Sequence, residues 1–380
     1  MSEFQASNFK KENGGTPNLV GKTELTSPYY FVPPSGTTLE RPQGCAPGTI
    51  RFNTDVGTLE VFRGDTIGWE QIQRVDNQYL GGGTGSNAGT GTRALFAGGL
   101  GPDIKSEVDY ITISTLGNTQ AFGNLGGGKQ AQGGMGSRTR AVLSGGYVTG
   151  FENGIKFFTF ASLGDVTDFG DLLSAKNRVM SCSDQVRGIN GGGNPNTNVI
   201  EYITIAQTGN GVDFGDLTVA RQSGEAFSSS TRGVFAGGYI EPTFSNTIDF
   251  ITISSTGNAT DFGDLTLIRM MGGGGCSNST RGIIGGGQSA SPAPRTNIID
   301  FITIATTGNA VDFGDSTSAR VDSSGASSST RGVFVGGDTP TLVNTIDFVE
   351  IATTGNASDF GDQTVMRDRT GSASNGHGGL

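Results

Sequence analysis

The run Thr231, Arg232, Gly233, Val234, Phe235, Ala236, Gly237, Gly238 is followed, after a variable loop, by Ile248, Asp249, Phe250, Ile251, Thr252, Ile253. Gly257 and Asn258 come next, and then Asp261, Phe262, Gly263, Asp264, Leu265. The pattern restarts around Arg93, Arg140, Arg187, Arg281 and Arg331, so from about residue 80 onward one supersecondary unit is written six times. Arginine spacings of 45 to 50 residues belong to propellers and solenoids.

Each unit reads as four strands. The first lies in a Ser-rich run such as residues 221–230, and the second carries the repeat arginine and an apolar trio ending in paired glycines. The third is the Ile248 to Ile253 type, and the fourth runs through Asp261 to Leu265 after a Gly-Asn turn. Four strands per unit is the content of a propeller blade. Both alternating faces of the third strand carry apolar residues, so neighbouring units must cover both. The paired glycines suit strands that converge where side chains have little room and φ is often positive. The expectation is an all-β fold with a six-bladed β-propeller over residues 79–380. The tail after Arg367, with Ala373 in the register of Cys182, is a seventh copy of the Ser-rich strand, whereas residues 82–91 offer a candidate at the other end. Closure by the C-terminal segment is expected, because it ties the first and last units together.

This arrangement resembles kelch-type propellers in its opening basic residue (Arg221), its apolar strand ending in Gly237 and Gly238, and an Ile248 to Ile253 strand with an acidic and an aromatic residue. It departs from them in lacking the tryptophan usual in the last strand, a place that Phe262 and its equivalents are expected to fill.

Residues 1–45 show no period, and Pro28, Pro33, Pro34, Pro42 and Pro47 interrupt any helix or central strand. They are read as an extended docking arm, with Tyr29, Tyr30, Phe31 and Val32 as an apolar cluster that a partner surface would cover. Residues 46–78 read as a small β-meander of strands 49–52, 58–62 and 69–72. Ile50 and Phe52 alternate with Arg51, and Leu59 and Val61 with Glu60, giving one apolar and one charged face, and Trp69 is expected on the apolar one. Three short strands bury too little to stand alone, so the meander should pack on something. The run from Gly48 to Val61, ending at Gly68 and Trp69, resembles a short module of virion and tail-fibre proteins of tailed bacteriophages. Together with the arm and the repeats, it is similar to virion structural proteins of marine cyanobacterial phages. The resemblance implies a virion component assembled in the host cytoplasm.

Composition narrows the classes. Glycine, at 65 of 380 residues, is far above the usual share of about 7% and lacks the collagen triplet. A net charge of -10 argues against nucleic acid as a partner. No run approaches the roughly 20 apolar residues needed to span a bilayer, so no membrane insertion is expected. Residues 1–11 are polar and charged where a cleavable signal needs an apolar core. Three cysteines are too few for a disulfide framework, and Cys182 and Cys276 occupy a register held elsewhere by Ala88, Met135, Phe227 and Ala326, so they are read as packed apolar groups.

Two charged patterns compete as sites. The pairs Asp168 and Asp171, Asp213 and Asp216, Asp261 and Asp264, Asp312 and Asp315, Asp359 and Asp362 are each followed, five positions on, by Lys176, Arg221, Arg269, Arg320 or Arg367. Calcium wants more oxygens in one loop than such a pair supplies, so turn formation with ion pairing is preferred over metal binding. The first repeat, with Ala121 and Asn124, lacks both carboxylates. Arg93, Arg140, Arg187, Arg232, Arg281 and Arg331 form one ring, and Asp109, Glu201, Asp249, Asp300 and Asp347, interrupted by Lys156, form another. The basic ring suits capture of acidic sugars, but pairing of these charges between strands or blades is preferred, since buried arginine is normally paired. His377 is the only histidine and no nucleophile, base and acid set is visible. Paired carboxylates alone could serve a glycosidase.

The expected function is therefore a non-enzymatic virion structural protein without cofactor or metal, docked to other virion proteins through its arm and meander and forming a homo-oligomer. The alternative is an adhesin that recognises a host receptor or glycan through the loops at residues 100–106, 239–245 and 288–295. A glycan-degrading enzyme is the third class.

Overall fold

Alternation of apolar and polar residues with glycine-bounded turns builds sheets throughout. A computed structural model describes residues 33–55, 58–66, 68–71, 92–270, 274–289 and 295–380. The cluster Tyr29 to Val32 and the candidate strand at 82–91 lie outside the described residues. The chain divides into two compact units, Met1–Val75 and Asp76–Leu380, and the described residues form seven four-stranded sheets.

In the first unit, strands Ile50–Asn53, Thr58–Phe62 and Trp69–Gln71 pair antiparallel. Ser35–Gly36, from the stretch read as the arm, adds a parallel fourth strand beside Ile50–Asn53. A turn of 3-10 helix, Thr38–Glu40, follows it, with Glu40 folding back on the Thr37 backbone N–H at 2.8 Å. Here the structure corrects the expected packing. The charged side is the covered one: Arg51, Asn53 and Glu60 are buried, whereas Ile50 and Leu59 are exposed. Arg41 reaches the Glu60 carboxylate, and Arg51 donates to the Thr37 carbonyl at 2.9 Å. Trp69 pairs in register with Phe62, which shares a side with Glu60 and Arg51, so it sits beneath the Arg51 guanidinium and not on the apolar side. Alternation defines two faces; the Ser35–Glu40 segment decides which one is covered.

The second unit holds six sheets built to one plan. In the fourth they are Glu225–Ser228, Arg232–Ile240, Thr243–Thr252 and Thr260–Asp264, paired antiparallel in that order. The sheet that starts the unit, Arg93–Ala97, Glu107–Thr112 and Gln120–Asn124, takes its first strand from the far end: Gly371–Ser374 pairs with Arg93–Ala97. Closure by the C-terminal segment is thus the observed pairing. The first strands neighbour one another in a cycle, Gly133–Gly136, Met180–Ser183, Glu225–Ser228, Gly275–Ser277, Ser324–Ser327, Gly371–Ser374 and back to Gly133–Gly136.

Each neighbouring pair of sheets shares its own apolar core, six in all among the described residues. Ile248 and Ile251, on opposite sides of one strand, go into two different cores. Burying such side chains from water is worth about 1.5–3 kcal/mol each. Cys182 and Cys276 pack in these cores, and burial pushes both thiols up to about 12. Backbone bonds seal the free edge of every fourth strand. Gly257 N–H donates to Phe214 O at 2.7 Å and Ala259 N–H to Asp216 O at 2.7 Å, so the Gly-Asn turn of one sheet covers the edge of its neighbour. An open edge would otherwise invite pairing with another chain. The glycine of each Asp-Phe-Gly-Asp run follows from that contact: Gly263 has φ +145°, and a Cβ there would lie 2.6 Å from the Gly308 backbone.

Candidate functional site

The repeated charges come first, because they are the strongest pattern in the sequence. Lys176, Arg221, Arg269, Arg320 and Arg367 do not pair with the aspartates five positions before them. By that point the chain has left its fourth strand and is crossing to the next sheet, where the basic head meets the carboxylate of the third strand. Arg221 reaches Asp249 at 2.8 Å, Arg269 reaches Asp300 at 2.8 Å, Arg320 reaches Asp347 at 2.5 Å and Arg367 reaches Asp109 at 2.9 Å. Lys176 meets Glu201 at 2.6 Å. At Asp249, Asp300 and Asp347 a threonine hydroxyl holds the other carboxylate oxygen, as Thr218 does on Asp249 at 2.6 Å. Desolvation lowers the pKa of Arg269, Arg320 and Arg367, with the paired aspartate opposing it. Where Lys156 replaces the acid, Lys129 turns toward Glu152 at 3.9 Å, and burial lowers its pKa.

The ring Arg93, Arg140, Arg187, Arg232, Arg281 and Arg331 does not pair with that acidic ring either. Each guanidinium stacks on the aromatic of its own third strand, from 4.5 Å for Arg232 over Phe250 to 4.9 Å for Arg93 over Tyr110. Each also donates to a backbone carbonyl of the next sheet, as Arg232 does to Ile304 at 2.8 Å. Arg331 bonds Glu350 as well, at 2.7 Å. These heads join sheet to sheet, the role preferred over capture of acidic sugars, although with carbonyl and ring partners in place of carboxylates. The aspartate pairs lie on the fourth strands, and the first member of each, such as Asp261, is exposed. No group of three or more His, Cys, Asp or Glu among the described residues could hold a metal ion.

What remains is the space the first strands enclose, a cavity of about 170 Å³. At one end the chain enters five of the six first strands through a non-glycine residue of positive φ: Ala131, Arg178, Ser223, Asp322 and Arg369. These residues are linked head to tail. The Arg369 N–H donates to Asp322 O at 2.9 Å, Ala131 N–H to Arg369 O at 2.9 Å, Arg178 N–H to Ala131 O at 2.9 Å and Ser223 N–H to Arg178 O at 3.2 Å. Side chains close over this mouth. Arg178 and Asp322, which start first strands three places apart in the cycle, meet at 3.3 Å, and Arg369 joins Asp322 at 3.1 Å.

The variable loops stand around the same mouth. Tyr147 bridges to Gln130 beside Ala131, and Tyr239 bridges to Gln222 beside Ser223. Tyr147 packs edge-on against Phe151 and Tyr239 against Phe244, each with ring centroids 6.0 Å apart. Arg295 bonds Asp338 at 2.9 Å across two of the loops.

The opposite end has a second linkage, made by serines. Ser183 Oγ donates to Gly136 O at 2.8 Å, Ser228 Oγ to Ser183 O at 2.7 Å, Ser277 Oγ to Ser228 O at 2.8 Å and Ser374 Oγ to Ser327 O at 2.7 Å. Gly136 has no hydroxyl to continue the series, and the His377 ring lies beside it, with Nε2 also 3.2 Å from Ser183 Oγ. Its Nε2 is 2.9 Å from Gly136 O, and the Gly379 N–H donates to its Nδ1 at 3.2 Å. Burial lowers its pKa. The tail thus floors the cavity.

Sequence reasoning did not find the mouth, the serine series or the place of His377. The available signal was the position two residues after each buried base, where side-chain type varies from repeat to repeat. No helix among the described residues is long and apolar enough to cross a membrane. Compared with protein-family models and with curated proteins, the chain matches none.

Proposed function

We propose that the second unit is a six-bladed, kelch-like β-propeller and that the chain is a non-enzymatic structural component of a tailed-phage virion. It is anchored by its N-terminal region to other virion proteins as a homo-oligomer and displays the propeller on a tail fibre or surface appendage. The ring reading is supported by the six cores between neighbouring sheets and the cyclic order of the first strands. One observation carries the display reading. The chain enters the repeats at Thr92, which packs against Gly376 of the tail at the floor end, while the variable loops stand at the other end. The display reading assigns that loop end, which carries residues the repeats do not share, to the exterior of the particle. A gold label in the exposed tip at Glu241 and Pro242, imaged on intact particles, should sit on an external appendage. Purified particles that carry no label would refute the assignment.

The second reading, an adhesin for a host receptor or glycan, is favoured by the aromatic pairs Tyr147 with Phe151 and Tyr239 with Phe244 at the mouth. The two readings are compatible, since binding usually resides on loops carried by a rigid scaffold.

A further inference from the structure

The central cavity has room for on the order of ten waters, close to the heavy-atom count of one sugar ring, and its lining offers polar groups that the chain leaves unused. Gln132 Nε2 and Ser323 Oγ both line it, belong to residues only 9% exposed and have no hydrogen-bond partner. Glu225 lines it too and accepts the backbone N–H groups of Gly274 and Gly275. Burial pushes its carboxyl up to about 8, so near neutral pH it is mainly a protonated acid with an O–H to donate.

The mouth adds a second, independent observation. The described residues include 28 glycines of positive φ, and the five other residues of positive φ are Ala131, Arg178, Ser223, Asp322 and Arg369. Glycine would take that backbone freely, whereas a side chain there is strained. A chain that places glycine at so many such turns keeps side chains at this one. Three of them, Arg178, Asp322 and Arg369, form the charged cluster over the cavity.

Charge selects the ligand class. An anion would face Asp322, with Asp368 held 3.8 Å from Arg369 balancing the second guanidinium, and a cation would face Arg178 and Arg369. A neutral molecule carrying both donors and acceptors meets neither penalty and satisfies both signs of the cluster. We propose that the central cavity and its mouth bind a neutral polyhydroxylated ligand, one sugar residue in size. Its contacts are Gln132, Glu225, Ser323 and the Arg178, Asp322, Arg369 cluster. The proposal deepens the adhesin reading and rests on it.

Calorimetric titration of the full chain with a panel of neutral mono- and oligosaccharides tests it, alongside Glu225→Ala, Glu225→Gln, Ser323→Ala and the rim variant Phe151→Ala, with thermal melting as the check on folding. A neutral sugar should bind. Affinity should fall about tenfold or more in Glu225→Ala, for the loss of one good polar contact, and measurably in Ser323→Ala, whose single missing hydroxyl leaves the fold intact. Glu225→Gln should keep most of it, because the amide N–H stands in for the acid O–H. A folded chain that attaches to host cells yet binds no neutral sugar overturns the ligand class and leaves the adhesin reading standing. Sugar binding unchanged in both Glu225→Ala and Ser323→Ala overturns the site. A chain that binds neither sugar nor cells removes both readings.

Discussion

Gly98 and Gly126 both have positive φ, but a Cβ on Gly98 would lie 2.1 Å from Lys129 O, while nothing stands within 4 Å of one on Gly126. The first position combines backbone strain with a clash, and the second carries strain alone. Gly126→Ala should cost about 1–2 kcal/mol and Gly98→Ala clearly more, upward of about 3 kcal/mol, as read from urea unfolding. Equal effects would show that the paired glycines are not crowded.

Two partly buried groups also give stability an opposite dependence on pH at its two ends. Glu225 has a folded-state pKa of about 8 against 4.5 for the free side chain. The folded chain therefore holds a proton that the unfolded chain lacks, and this group's stabilisation is full below pH 4.5 and lost as pH rises to about 8. His377, lowered from 6.5, contributes above that pH and loses its contribution as pH falls below it. Its neutral form is the one that can donate to Gly136 O and accept from Gly379 at once. Glu225→Gln should flatten the loss on the alkaline side, and His377→Ala should reduce the loss on the acid side. Melting curves across pH that keep the parent slope in both variants would refute these assignments.

At the scale of elements, the charges that repeat are joints. Asp249 and Arg221 are both 0% exposed, so Asp249→Ala strands a buried guanidinium and should cost about 3–5 kcal/mol. The exposed Asp261→Ala should stay within about 0.5 kcal/mol. The same contrast shows what a sequence carries. The strand from Ile248 to Ile253 was legible because both of its faces are apolar, and the closing strand because Ala373 repeats the register of Cys182. The partner of Arg221 was not legible, since pattern places a residue on its own strand and says nothing of the neighbour it reaches 28 positions later. Nor was the covered side of the meander, because alternation is symmetric until Ser35–Gly36 lies beside Ile50–Asn53. The mouth was hidden for a different reason: a positive φ at arginine or aspartate has no marker in composition, unlike one at glycine. Deleting residues 368–380 removes the strand that covers Arg93–Ala97 and the floor of the cavity together. The melting temperature should fall markedly, and a truncated chain as stable as the parent would refute closure.

For the whole molecule, the repeats and the exceptions divide the work. The recurring arginines, third-strand carboxylates and paired glycines join the six sheets, and the variable loops and the charged residues of positive φ stand at one end, around the mouth. Function assigned to that end implies that attachment depends on residues the repeats do not share. The most direct test is binding of purified chain to host cells by two sets of variants matched for melting temperature. One changes the exposed repeat aspartates Asp168, Asp213, Asp261, Asp312 and Asp359 to asparagine; the other changes Phe151, Tyr239 and Phe244 at the mouth to alanine. Binding should survive the first set and be lost in the second. Loss with the repeat aspartates and retention with the mouth residues would contradict the account.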